Sequence, residues 1–151
     1  GPVLMAEEAI AAGEESGGYA FRGNVPERDG ILSGLLILDM IVKTQMEPSD
    51  LLDELVEKVG PHFYDRWDVS FDPSQRDAIE QSVRASFPST LAGKTVVQVD
   101  ERDGIRFVLE SGHWSLIRFS GTEPLLRIYA EGGSPAEVAA LLGEARAMTG
   151  V

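Results

Sequence analysis

The sequence contains no cysteine and only two histidines. It therefore has no disulfide framework, no thiolate zinc site and no cysteine nucleophile, and thiol chemistry says nothing about its compartment. Positive charge is also scarce. Thirteen Lys and Arg face 25 Asp and Glu in 151 residues, a formal charge of −12, with a pI near 4.5. Binding nucleic acid by the usual electrostatic route needs a basic face, and so does a polybasic membrane-surface module; both are excluded. Apolar runs are short: Leu35 to Leu38 ends at Asp39, far below the length that spans a bilayer. Glu7 and Glu8 interrupt the only N-terminal stretch that could have formed a secretory signal core.

What is present is the composition of a folded protein, 43% hydrophobic and 25% charged, with length for one domain and a piece of another. Gly1-Pro2 ahead of any Met reads as the scar of a cleaved tag, and a chain that starts mid-pattern reads as a fragment. Ile10-Ala11-Ala12 reads as the end of a strand. It runs into Gly13-Glu14-Glu15-Ser16-Gly17-Gly18, where three glycines in six residues mark a tight loop. From about Ile31 to Val42 a helix follows that is apolar almost all round, so it needs cover on more than one side. The preceding 30 residues cannot supply that cover, so the helix is expected to lie against the second half, against another chain or against protein that has been cut away; a truncated chain should hide it by dimerising or swapping segments.

Pro48 breaks the pattern, and a helix is expected from about Ser49 to Val59, stopped by Gly60-Pro61. Phe63, Trp67, Val69 and Phe71 alternate with polar residues as a strand does, with Asp65 the misfit. Asp72-Pro73 caps a helix to about Ser86. After a loop from Pro88 to Lys94, strands are expected over 95–99, 105–109 and 114–119, turned by Asp103-Gly104 and Ser111-Gly112. A fourth covers 125–130. Ser134-Pro135-Ala136-Glu137 is a capping box opening the last helix. Residues 47–151 thus read as an α+β domain, an antiparallel sheet of four to five strands with helices on one face. Residues 1–46 read as a strand, a glycine-rich loop and a helix.

Chemistry concentrates in Arg118-Phe119-Ser120-Gly121-Thr122-Glu123-Pro124-Leu125-Leu126-Arg127. If the flanking strands pair, Arg118 and Arg127 meet at the base of a loop with two hydroxyls, successive backbone N–H groups and Gly121 free to take a positive φ. That combination suits a phosphate. The other reading is a hairpin turn whose arginines pair with Glu123 and Glu131. Glu14, Glu15 and Ser16 could hydrogen-bond sugar hydroxyls, or could form an acidic surface turn. Asp65, Asp68 and Asp72 lack the spacing of a calcium loop. His62 and His113 read as solvent-facing strand-end residues, and Trp67 and Trp114 as core.

Together, Gly13 to Gly18, Pro26-Glu27-Arg28-Asp29-Gly30-Ile31, and Arg118 to Arg127 resemble, in order, three segments of the α-D-phosphohexomutases, the phosphoglucomutase and phosphomannomutase superfamily. The resemblance covers the chain after Gly1-Pro2 and implies that residues 1–46 are a strand-loop-helix remnant of the family's third, α/β domain and residues 47–151 all of its fourth, a TATA-binding-protein-like fold. By position, Glu14 and Ser16 would bind sugar hydroxyls. Arg118, Ser120, Gly121 and Thr122 would hold the substrate's non-reacting phosphate, with Arg127 in support. The family's phosphoserine and aspartate-rich magnesium loops have no counterpart here, since neither Ser-His-Asn nor Asp-Gly-Asp occurs. The resemblance therefore implies a parent enzyme that interconverts hexose 1- and 6-phosphates in the cytoplasm, using Mg2+ and a hexose 1,6-bisphosphate activator. This chain would hold no metal or catalytic residue and would be inactive without domains one to three. Phe119 stands where many members have Pro, and Gly18 where some have His. The Glu-Ser-Gly-Gly ending is nearer to the glucose and mannose mutases than to the glucosamine mutases. A non-catalytic structural or oligomerisation module that binds no ligand is the alternative.

Overall fold

A computed structural model describes residues 1–14 and 17–151. Two compact units make up the chain, Gly1–Lys58 and Val59–Val151. The division lies one helix later than the boundary at residue 47 expected from sequence, because the helix after Pro48 groups with the first unit.

In the first unit, α1 (Pro2–Ala6) starts on Pro2, which was set aside above as part of a tag scar. Proline suits a first helical position because its missing N–H would have been unpaired there anyway. Strands β1 (Ala11–Gly13) and β2 (Tyr19–Phe21) pair antiparallel, Ala12 opposite Ala20. Asp29 caps α2 (Gly30–Thr44), its carboxylate accepting from Leu32 N at 2.9 Å. Gln45, in the left-handed region at φ 58°, ends that helix. α3 (Pro48–Val59) follows. Of α2 only Ser33 is buried; Ile31 is 81% exposed and Val42 59%.

The second unit is built on a six-stranded antiparallel sheet in the order β3-β8-β7-β6-β5-β4. Its strands are β3 (Phe63–Ser70), β4 (Thr90–Leu91), β5 (Lys94–Asp100), β6 (Ile105–Leu109), β7 (Trp114–Phe119) and β8 (Leu125–Gly132). Two-residue β4, folded back by Ala92 and Gly93 at positive φ, takes the count past the four to five strands expected. Asp72 does cap a helical segment, but one turn of 3-10 helix (Pro73–Gln75) precedes α4 (Arg76–Ala85). Side chains alternate across the sheet, so Ile105, Phe107, Leu109, Ile117, Leu126, Ile128 and Ala130 line one face. Ile79 and Val83 of α4 cover that face, with Val138, Leu141, Leu142 and Ala145 of α5 (Pro135–Thr149). Asp65, the misfit, stands opposite Ala130 on β3, in the same two-residue register as Phe63 and Trp67. An inward charge on an edge strand discourages pairing with another chain's edge. Among the described residues no helix is long and apolar enough to cross a membrane.

The start of α5 is tied to the sheet by a carboxylate. Ser134 Oγ accepts from Glu137 N at 3.2 Å, the first half of the expected capping box, while Glu137 accepts from Gly133 N at 2.9 Å, one residue ahead of the cap. The same carboxylate lies 2.7 Å from Lys94 Nζ and 2.8 Å from His113 Nδ1. His113 is thus not the solvent-facing residue expected, since its side chain is 23% exposed and paired across the strand end. Burial pushes the Glu137 carboxyl up, but the hydrogen bonds from Lys94, His113 and Gly133 outweigh it and hold the pKa down at about 2.

Two outcomes follow for stability. Phe107, fully buried, should cost about 3–5 kcal/mol on Phe107→Ala in urea unfolding of the second unit. A carboxyl depressed from 4.5 to about 2 stabilises fully above pH 4.5 and loses that contribution as pH falls towards 2. The urea midpoint should therefore drop across that window. Glu137→Gln should start lower at pH 7 and drop less steeply.

Candidate functional site

The β7–β8 hairpin places Arg118 directly opposite Arg127 and Phe119 opposite Leu126. Residues so placed in an antiparallel pair project to the same face with Cβ atoms roughly 4.5–5.5 Å apart, and like charges there repel. On the far side of β8, Asp68 stands opposite Arg127, but its carboxylate is engaged by Arg66 Nε at 3.1 Å. The two arginines take their carboxylates from turns. Arg118 Nε lies 3.1 Å from Asp103 Oδ1, and Arg127 Nη2 lies 3.7 Å from Glu123 Oε2. The expected alternative pairing is met for Glu123 only; Glu131 is taken by His62 Nδ1 at 3.0 Å. Arg127 Nε is buried and has no hydrogen-bond partner.

Between the arginines the loop closes on itself. Ser120 N donates to Leu125 O at 2.8 Å, and Leu125 N donates to Glu123 O at 2.8 Å. Ser120 is buried and its Oγ accepts from Thr122 N at 3.4 Å, while residues 121–124 are exposed. Gly121, free to take a positive φ, does not use it; the left-handed glycines here are Gly104 and Gly112 in the hairpin turns. The loop turns through its Ser-Thr hydrogen bond instead, which leaves its exposed face to hydroxyl and backbone donors.

Phe119 fixes the hairpin's end from the core side. Its ring meets Phe71 edge-on at 5.3 Å and carries the Arg76 guanidinium 4.6 Å above its centre. Where a proline would have offered no such platform, Phe119 brings an arginine of α4 to a cavity of about 240 Å3 that Arg118 and Arg84 also line. Sequence reasoning missed both Arg76 and Asp103. Each reaches the site through pairing distant in sequence, and the Asp103-Gly104 turn signal told only of a hairpin.

In the first unit, Glu14 N donates to Gly18 O at 2.9 Å and Gly17 N donates to Glu14 O at 3.0 Å. Arg28 Nη1 lies 2.8 Å from Glu14 Oε2, which unites two of the segments singled out in the sequence. A Cβ at Gly18 would meet Arg28 Cδ at 2.5 Å, so glycine leaves room for the arginine. Ser16, with Glu15, lies outside the described residues. Among the described residues no group of three or more His, Asp or Glu stands together to hold a metal ion.

The two glycines at the hairpin separate fold from site. A Cβ at Gly104 would lie 2.6 Å from Ile117 O, and its φ is +89°; at Gly121 nothing lies within 4 Å. Gly104→Ala should lower the thermal midpoint, by more than about 1 kcal/mol of stability, whereas Gly121→Ala should be neutral or stabilise by about 0.4–1 kcal/mol.

Comparison with known proteins gives two family matches. The model for phosphoglucomutase/phosphomannomutase, alpha/beta/alpha domain III, matches residues 2–59, and that for the C-terminal domain of the same proteins matches 72–148. A phosphoglucomutase/phosphomannomutase of Thermococcus kodakarensis is 33% identical over 87% of this chain and 26% of its own length. A phosphoglucosamine mutase of Methanococcus maripaludis is 35% identical over 87% of this chain and 28% of its own. The crystal structure of parafusin, a phosphoglucomutase from Paramecium in its open form, superposes with a TM-score of 0.71 at 20% identity. It covers 98% of this chain and 32% of that one, a likeness of fold. The chain thus spans between a quarter and a third of the length of these relatives.

Proposed function

Because the chain belongs to the phosphoglucomutase/phosphomannomutase family, we propose that it is the substrate-holding C-terminal portion of a hexose-phosphate mutase. The observation that carries this reading is Arg118 opposite Arg127 beneath a loop of exposed Gly121 and Thr122 that closes over buried Ser120. Guanidiniums and hydroxyls at that spacing suit a phosphate with several acceptor oxygens. In this reading Arg118, Ser120, Gly121 and Thr122 grip the phosphate that does not react, and Arg127 supports them. Glu14 and Ser16 take sugar hydroxyls. Their role is orientation, which converts binding contacts into a correctly aimed reacting phosphoryl group. Magnesium would supply charge neutralisation during that transfer. It is assigned, with the phosphoserine and the bisphosphate activator, to regions that the relatives have beyond the matched segment. By itself the chain has no turnover.

Calorimetry of the 151-residue protein should show glucose 1-phosphate and inorganic phosphate binding, and glucose not binding. Arg118→Ala and Ser120→Ala should each remove a bond worth about 1.5–3 kcal/mol, a loss of at least about tenfold. Binding unchanged by both substitutions, or mutase turnover by the wild-type chain, contradicts the reading.

The exposed apolar helix α2 favours a second reading, in which the chain is an oligomerisation module. A ligand-holding chain with such a helix also hides it by pairing with a second copy. Sedimentation at rising concentration should reveal dimers or larger species. A strict monomer that binds no hydrophobic dye contradicts self-association.

A further inference from the structure

We propose that Asp103 is a resident competitor for the phosphate site, holding Arg118 in place when no ligand is bound and yielding it when phosphate arrives. The inference rests on the phosphate-loop reading above.

The turn between β5 and β6 is built to present this one carboxylate. Gly104, at φ +89°, lets the turn lie so close to β7 that a Cβ there would collide with Ile117 O and meet Arg118 Cβ at 3.1 Å. The residue before it is thereby delivered to the Arg118 side chain. The other cations near the turn are already committed. Arg102 Nη2 lies 2.6 Å from Asp100 Oδ2, with its Nε 3.0 Å from both oxygens of the same carboxylate. Arg84 is held between Glu101 and Glu80. Arg106 stacks on Trp114, 5.1 Å from the ring centre. Asp103 is left with Arg118, at 3.1 Å and with 72% of its side chain exposed.

A monocarboxylate on an exposed turn holds an arginine weakly. A phosphate monoester brings nearly two charges and three acceptor oxygens, and adds the Ser120 and Thr122 hydroxyls that Asp103 does not reach for. Phosphate therefore displaces the carboxylate, but its affinity is lowered by the fraction of time Asp103 occupies the guanidinium. The same contact spares the site from two unneutralised arginines facing each other in the empty state. Asp103 acts on the ligand through Arg118, so it is a positioning residue whose removal should tighten binding. A residue that merely supported the site would weaken binding when removed.

The test is calorimetric titration of inorganic phosphate into the 151-residue chain and its variants. Asp103→Asn should bind about two- to five-fold more tightly, the size expected of one exposed ion pair. Asp103→Glu, which keeps the charge, should bind like wild type. Asp50→Asn, the same charge change on α3, should also match wild type, which separates local competition from the general effect of a less acidic protein. Unchanged or weaker binding by Asp103→Asn, while Ser120→Ala still weakens binding at least about tenfold, overturns the competitor role and leaves the phosphate loop standing. Equal tightening by Asp50→Asn overturns it as well. Phosphate binding that ignores Ser120→Ala, or that occurs in none of the chains, overturns the phosphate-loop reading and this inference with it.

Discussion

Antiparallel register sets Arg118 against Arg127, and two guanidiniums on one face of adjacent strands repel unless an anion lies between or beside them. The surroundings of the hairpin follow from that constraint. Asp103 and Glu123 approach from two turns, and Asp68 is placed across the next strand. A protein of net charge −12 has carboxylates to spare, yet at this end of the sheet it gathers Arg76, Arg84, Arg118 and Arg127. The sheet's other end is organised by the opposite sign. There the single Glu137 carboxylate collects Lys94, His113 and a backbone N–H, and so seats α5.

Rigidity of the hairpin comes from beneath it. Ile117, Leu126 and Ile128 are buried under α4 and α5, so the register that opposes the arginines cannot slip by one residue without exposing the core. Phe119 extends that anchoring to the last residue before the loop through Phe71 and Arg76. Beyond buried Ser120 the loop is exposed over 121–124 and is closed by few hydrogen bonds, while its ends stay fixed.

Local chemistry was legible in the sequence wherever a short pattern carries its own mechanism. Asp72 and Ser134 cap the helical segments that follow them, and Gly104 and Gly112 sit in the turns where Asp-Gly and Ser-Gly were read. Alternation gave the strand that begins at Phe63, and turn signals gave those over 105–109 and 114–119; the last strand, expected over 125–130, runs on to Gly132. Contacts far apart in the chain were not legible. Nothing in the spacing links His113 to Glu137 or Arg118 to Asp103, because such pairs exist only once β5, β6 and β7 lie side by side. Two-residue β4 was too short to show a period, and Gly121 was read as a conformational device when the loop turns on Ser120 and Thr122. Asp65 broke the alternation and was still part of the strand, since edge strands gain from a charge where a core residue would sit.

The account stands on the claim that the end of this hairpin is a phosphate site already formed in the chain. An amide NMR titration with inorganic phosphate, with glucose as control, tests it most directly. The account predicts shifts centred on Ser120, Gly121 and Thr122 with phosphate and none there with glucose. Phosphate that leaves these three amides unmoved at millimolar concentration would contradict it.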